Sequence, residues 1–416
     1  MADRRGDELA GGYWTKLWTL QWRAVLLLLR LGGRNCSSGW PPTASAWWTR
    51  YAVVVLLLSI VVGIVNVGRN ILAPRTVSET ATYLVLLNTA DIVVKQLATV
   101  ASQVMTIVRR SEIALLVQDV ASYLSAYPAT LPSLRGMNAI LGVYVLSTFL
   151  PGIFSQAVNY EVLALALDSE GVFTQSMLSM AVLQDTLEHV LPSLYLALLE
   201  CAFVGVLVAG VFLAADVADD VQDLVAKLSS TTWGSLAWDG VTLGSVEDKR
   251  VALQLRELRA RQQRLHDVVV ATNSAQGGVI LCSLLVTVME ACVCVYTGAS
   301  LLTKFDFEDE SQGLVSVVWG VNLILRFIVN CILGQRLCNN HTRISVTLQE
   351  FLADSPILPI RTKQEVQGFL HQVQMLDNRC GVYDLLYFDL TTMSTVIASF
   401  ATFLVMLFQF DKKKAI

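Results

Sequence analysis

Five ionisable side chains sit where ionisable side chains are expensive. Asp91, Lys95, Glu200, Glu290 and Arg326 interrupt runs that are otherwise apolar. Inside a bilayer such residues persist when they pair with one another or line a path for polar solutes. Asp91 and Lys95 are four residues apart, so they can pair on one helix. Glu290 and Arg326 fall near the middle of two consecutive antiparallel segments, and the expected arrangement is an ion pair between helices, with ligand binding or gating as the functional alternative. Glu200 requires an explanation of the same kind. Catalysis has no comparable constellation. The four histidines, His189, His266, His341 and His371, are scattered, with no H-E-x-x-H, no metal-ligand spacing of Cys and His, and no Gly-rich phosphate loop. Each reads as a surface or capping residue, so no enzyme activity, metal or cofactor is expected.

A second polar set lies on the last apolar segment, which ends "TFLVMLFQF" at 402–410. At 100° per residue, Thr395, Ser399, Thr402, Met406 and Gln409 share an arc of about 80°. Small hydroxyl residues also serve helix packing, but an amide near the end of a membrane helix needs a partner or water. A third set, Gln156, Asn159, Tyr160, Tyr195, Tyr296, Trp319 and Asn322, falls in the same halves of neighbouring segments. Aromatic rings supply contact area and amides supply orientation, which suits a small polar or mixed ligand. Interfacial anchoring selects similar residues.

The elements that position these groups follow from composition. Of 416 residues, 54% are hydrophobic and 15% charged, against about 25% charged in an ordinary soluble domain. The chain reads as all-α, a polytopic membrane protein with seven transmembrane helices near 51–68, 83–108, 138–158, 190–215, 277–302, 314–334 and 392–410. The apolar run at 24–31 is too short to span and follows Trp14, Trp18 and Trp22, as an interfacial helix does. The organisation is an N-terminal segment (1–50), helices one to four (51–215), a long connection (216–276), helices five and six (277–334), a second long connection (335–391), helix seven (392–410) and a short tail (411–416). The N-terminal segment and the even-numbered connections hold 22 Lys and Arg, the other connections and the tail 6. Basic residues accumulate on the cytoplasmic side, so the N-terminus is expected inside and the C-terminus outside, in the plasma membrane. Lys412, Lys413 and Lys414 dissent, and the connection at 159–189, without any Lys or Arg, outweighs them.

Both long connections carry amphipathic stripes. Val251, Leu255, Leu258, Leu265 and Val269, interrupted by Gln262, recur at helical spacing, as do Val366, Phe369, Val373 and Leu376. Such stripes either cover one another beneath the membrane or form an assembly surface. The segment 230–249 reads as a flexible insertion. A formal net charge of −4 without a basic soluble face gives no reason to expect nucleic acid as a partner.

The end of the chain resembles insect gustatory receptors. Their signature, Thr-Tyr, five residues, then Gln-Phe, is similar to Thr402, Gln409 and Phe410 here, with Phe403 in place of tyrosine. Gly381, Tyr387, Phe388 and Asp389 are similar to the family's run before the final helix. The resemblance implies a chemoreceptor for taste perception: a homo- or hetero-tetramer of gustatory receptor subunits, forming a ligand-gated, non-selective cation channel opened by a small-molecule tastant. It further implies a pore lined by helix seven, a gate at Gln409 and Phe410, and cytoplasmic helices that anchor the subunits together. Leu404 stands where the family's sugar receptors carry an acid, so a main sugar receptor is disfavoured. Rhodopsin-like receptors are excluded by the inverted topology and the missing Asp-Arg-Tyr. A secondary transporter, or an accessory multi-span protein, is the competing class, and neither inverted repeats nor broken helices support a transporter.

Overall fold

The computed structural model describes residues 37–38, 43–44, 46–72, 79–127, 130, 132–150, 191–230, 241–302, 307–354, 358–383 and 385–412. The apolar run at 24–31, the acidic connection at 159–189 and Gln156, Asn159 and Tyr160 lie outside them. A two-residue ladder, β1 (Ser37–Ser38) with β2 (Thr43–Ala44), precedes α1 (Ala46–Leu72). Then follow α2 (Glu79–Val108), α3 (Arg110–Ala126), α4 (Pro132–Leu150), α5 (Leu191–Ser230), α6 (Val241–Leu302), α7 (Phe307–Asp354) and α8 (Ile360–Met375). A hairpin of β3 (Gly381–Val382) and β4 (Leu386–Tyr387) leads into α9 (Leu390–Lys412).

Among the described residues, 6 helices are long and apolar enough to cross a membrane, and α1 adds a shorter apolar stretch, Ala52–Val65. The apolar stretch of α5 is 89% buried, which places α5 at the centre of the bundle. Its Phe203, Val204, Val208 and Val217 are sealed because nearly every position is apolar, so no face needs to meet water. Around it stand α4, α6 and α7, with α2 beyond and α1 outermost. The outward residues of α1, Leu57, Leu58, Val61 and Ile64, are exposed, as a lipid-facing helix requires.

Helices five and six of the sequence reading do not stop at the membrane boundary. With 62 and 48 residues, α6 and α7 are about 93 and 72 Å long at 1.5 Å per residue, against a hydrocarbon core of about 30 Å. In α6 the chain between the apolar run and the amphipathic stripe contains no proline and keeps helical register, so that stripe continues its membrane helix; α7 likewise runs on to Asp354, but the second stripe lies on the separate helix α8, beyond Pro356 and Pro359. The same continuity corrects the second half of the expected flexible insertion: from Val241 onward that segment is helix, and 231–240 lies outside the described residues. Outside the membrane, α5, α6 and α7 close with α8 into a second core, where Val221, Leu255, Leu348, Val366, Phe369 and Val373 are sealed. The two stripes are therefore buried within one subunit, with Leu258 and Leu376 as the partly buried members.

Candidate functional site

Three polar assemblies stand out. The first joins α2, α6 and α7. Lys95 Nζ lies 2.7 Å from Asp91 on its own helix and 3.1 Å from Glu290 Oε1 of α6. The same Glu290 oxygen accepts a hydrogen bond from Trp319 Nε1 of α7 at 3.0 Å. The second lies deeper and joins α4, α5 and α7. Glu200 accepts from Arg326, from Tyr144 Oη at 2.5 Å and from Asn330 Nδ2 at 3.0 Å. Both carboxylates are more than nine-tenths buried, where each charge needs a partner and saturated lone pairs.

The expected local pair Asp91–Lys95 is present. The expected pair between Glu290 and Arg326 is not: Glu290 belongs to Lys95, and Arg326 to Glu200. Equal depth along two antiparallel helices was the basis for pairing them, but Trp319, not Arg326, is the α7 residue at Glu290. Arg326 follows seven residues later, about 10 Å deeper, where α5 supplies a nearer acid. Tyr144 and Asn330 were missed. A signal existed, since each is a polar residue within an apolar run, but nothing in the sequence says which helix faces which.

Of the expected ligand residues, Trp319 is tied to Glu290. Asn322, half-buried one turn nearer Arg326, leaves its Nδ2 without a protein partner. Tyr195 is buried beside the small cluster of Ala98, Leu196 and Val286. Tyr296 is buried elsewhere, its ring 5.6 Å from that of Phe408 on α9. Trp319 and Asn322 thus share one face of α7 near the first assembly, whereas Tyr296 underpins the last helix.

The third assembly is α9 itself. Asp389 caps its start, accepting from Thr392 N at 2.6 Å, a favourable use of the first-turn amides. The helix is as apolar as a membrane span, yet none of its span is buried. Met393 and Val396 touch the main core, and Phe408 meets Tyr296. The remaining face carries an open groove of about 780 Å³ lined by Ser394, Thr395, Ala398, Ser399, Thr402, Phe403 and Met406. Hydroxyls of Thr395, Ser399 and Thr402 bond back to carbonyls one turn earlier at 2.8 to 2.9 Å, which lets a polar stripe persist in an apolar setting. Gln409 is exposed on the same helix.

The lead-in to α9 is gripped by glycines. A Cβ on Gly334 of α7 would stand 2.2 Å from the Phe388 carbonyl oxygen, and one on Gly277 of α6 would stand 3.6 Å from Val382 Cα. Asn273 of α6 donates to Arg379 O at 3.0 Å and accepts from Gly381 N at 3.1 Å. Tyr383 takes φ of 48° at the hairpin tip, a conformation that a bulky side chain adopts only when its surroundings enforce it. Beside this joint, two histidines form a network rather than surface caps. His341 Nδ1 faces the amide nitrogens of Gln262 (3.0 Å) and Asn378 (2.8 Å), its Nε2 donates to Val373 O (2.8 Å), and His266 Nδ1 meets Asn378 Oδ1 at 2.6 Å.

A helical membrane bundle with internal ion pairs, a bare polar-striped last helix and long helical extensions defines a multi-span receptor-like protein. The family model described as 7tm chemosensory receptor matches residues 23–414, and the chain belongs to that family, which is one of receptors, not of enzymes. No curated protein sequence matches it. Among solved structures, the insect olfactory receptor OR5 from Machilis hrabei in complex with eugenol is similar at TM-score 0.68 and 11% identity, covering 95% of this chain and 99% of that one. The same receptor without that complex gives TM-score 0.66 at 11% identity, with 94% and 98% covered.

Proposed function

We infer that the chain is a gustatory receptor subunit that forms a ligand-gated, non-selective cation channel in the plasma membrane. The observation that carries this reading is α9, a membrane-length helix whose polar stripe has no cover among the described residues of its own subunit. Four copies arranged around an axis would turn that groove inward, so that Thr395, Ser399, Thr402, Met406 and Gln409 line a water-filled path, with Gln409 and Phe410 as the gate. The 22-to-6 split of basic residues supports an internal N-terminus and an external C-terminus. A small molecule would bind among the outer halves of the membrane helices, near Trp319 and Asn322. The likeness to a receptor solved with eugenol supports a small-molecule ligand, and the gustatory signature at Thr402, Gln409 and Phe410 supports a tastant.

Patch recordings test the pore. Phe410→Ala should raise basal cation current without ligand, because a smaller residue widens and wets the constriction. Gln409→Ala should alter selectivity or ligand-evoked current. If both variants reach the surface and behave as the parent, α9 is not the pore wall.

A further inference from the structure

The α2 helix holds a second anomaly, independent of the channel reading. From Gln96 to Gln103, four side chains bury polar atoms that the protein leaves without a conventional partner: Gln96 Nε2, Thr99 Oγ1, Ser102 Oγ and Gln103 Oε1. Their residues are 5, 5, 0 and 4% exposed. They occupy one arc of about 120°, along about 10 Å of helix. Their surroundings are the neighbouring helices: Gln103 Nε2 donates to Ser59 of α1 at 2.9 Å, Gly63 of α1 lies beside Gln96, and Ser102 lies against the thiol of Cys282 on α6, a weak hydrogen-bonding group. The series begins one residue beyond Lys95, the centre of the first ionic assembly.

The usual dry solution for a membrane hydroxyl is a bond to the carbonyl one turn earlier. Thr106 takes it, bonding to Ser102 O at 2.8 Å, as does Thr148 of α4, at 2.8 Å from Tyr144 O. Thr99 and Ser102 do not. The unmet capacities also fit in sequence: an N–H donor at Gln96, two hydroxyls that both give and accept, and a carbonyl acceptor at Gln103. That is the pattern a file of water molecules completes, each with polar partners on either side.

We propose that the seam between α1, α2 and α6 is a binding site for a file of buried waters, which hydrates the Lys95–Glu290 pair from inside the subunit. The water file satisfies the four side chains along the seam from Gln96 to Gln103.

X-ray radiolytic footprinting of the full-length protein in nanodiscs tests this, because hydroxyl radicals formed from a bound water oxidise the side chains beside it. Cys282 and Met105, which lies against Gly278 of α6, are the probes, and the fully buried Cys331 is the dry control. The expected result is labelling of Cys282 and Met105 several-fold faster than Cys331, falling to the control rate in the Thr99→Val, Ser102→Ala double variant. Thr99→Ser, which keeps the hydroxyl and is the milder change, should retain the parent rate. Labelling no faster than Cys331 overturns the proposal, as does fast labelling that the double variant leaves unchanged in a folded protein.

Discussion

Arg326→Met removes the charged partner that the described residues give to a carboxylate itself buried in the membrane. Glu200 keeps two neutral donors, Tyr144 and Asn330, so the loss should fall toward the lower part of the range for breaking a buried pair, about 3 kcal/mol of a possible 3 to 5. With an unfolding entropy of about 2.1 cal/mol/K per residue, a chain of 416 residues that unfolds as one unit would lose roughly 3 to 4 °C from its midpoint. The decisive comparison is with the double variant Glu200→Gln, Arg326→Met. Removing both charges leaves an amide that still meets Tyr144 and Asn330, so most of the loss should return. Thermal unfolding in detergent, followed by tryptophan fluorescence, measures all four corners of the cycle. If the single and double losses simply add, Arg326 and Glu200 are not energetically coupled, and the deeper assembly is not the ion pair described here.

Other consequences are sharper in direction than in size. Gly334→Ala should displace the Phe388 strand end and cost at least 1 to 3 kcal/mol, roughly the price of overpacking, whereas Gly210→Ala, where the added Cβ meets Leu337 at 3.8 Å, should be nearly neutral; equal unfolding midpoints would refute the grip. Burial holds the His341 imidazole below its ordinary value of 6.5, and two amide N–H groups face its Nδ1. The unfolded chain then binds more protons just below pH 6.5, so this contribution is complete above that value and declines as pH falls toward the lowered one. Hydrogen exchange across 375–382, corrected for intrinsic rate, should quicken between pH 7.5 and 5.5, and His341→Gln should flatten that response; a pH-independent rate in the parent would contradict it.

The sequence made the membrane helices readable because apolar length is a one-dimensional property, and it made the stripes at Leu255 and Phe369 readable because helical spacing is too. Azimuth is not. Glu290 and Arg326 could be placed in depth along their helices, but their partners come from α2 and α5, and no periodicity tells that Lys95 points toward α6. The histidines failed for the same reason: His266 and His341 are 75 residues apart and share Asn378 as a partner because α6 and α7 run side by side through the extension. The residues of α9 were legible in type and arc. Their exposure was not, because an apolar segment reads alike whether it is wrapped or bare.

The unbroken course of α6 and α7 has a mechanical meaning. A rod of about 93 Å that tilts by roughly 5° about one end carries the other end through about 8 Å. Glu290 rides on the same rod as Leu255 and Gln262, and Arg326 on the same rod as Gly334 and His341. In the extension α5, α6, α7 and α8 lock together, and the membrane portions of α6 and α7 continue the same rods into the main core. A disturbance at the ionic assemblies need not be relayed from contact to contact to reach the α9 lead-in. Gly277 and Gly334 belong to those same rods, so the hairpin is carried by whatever the rods do.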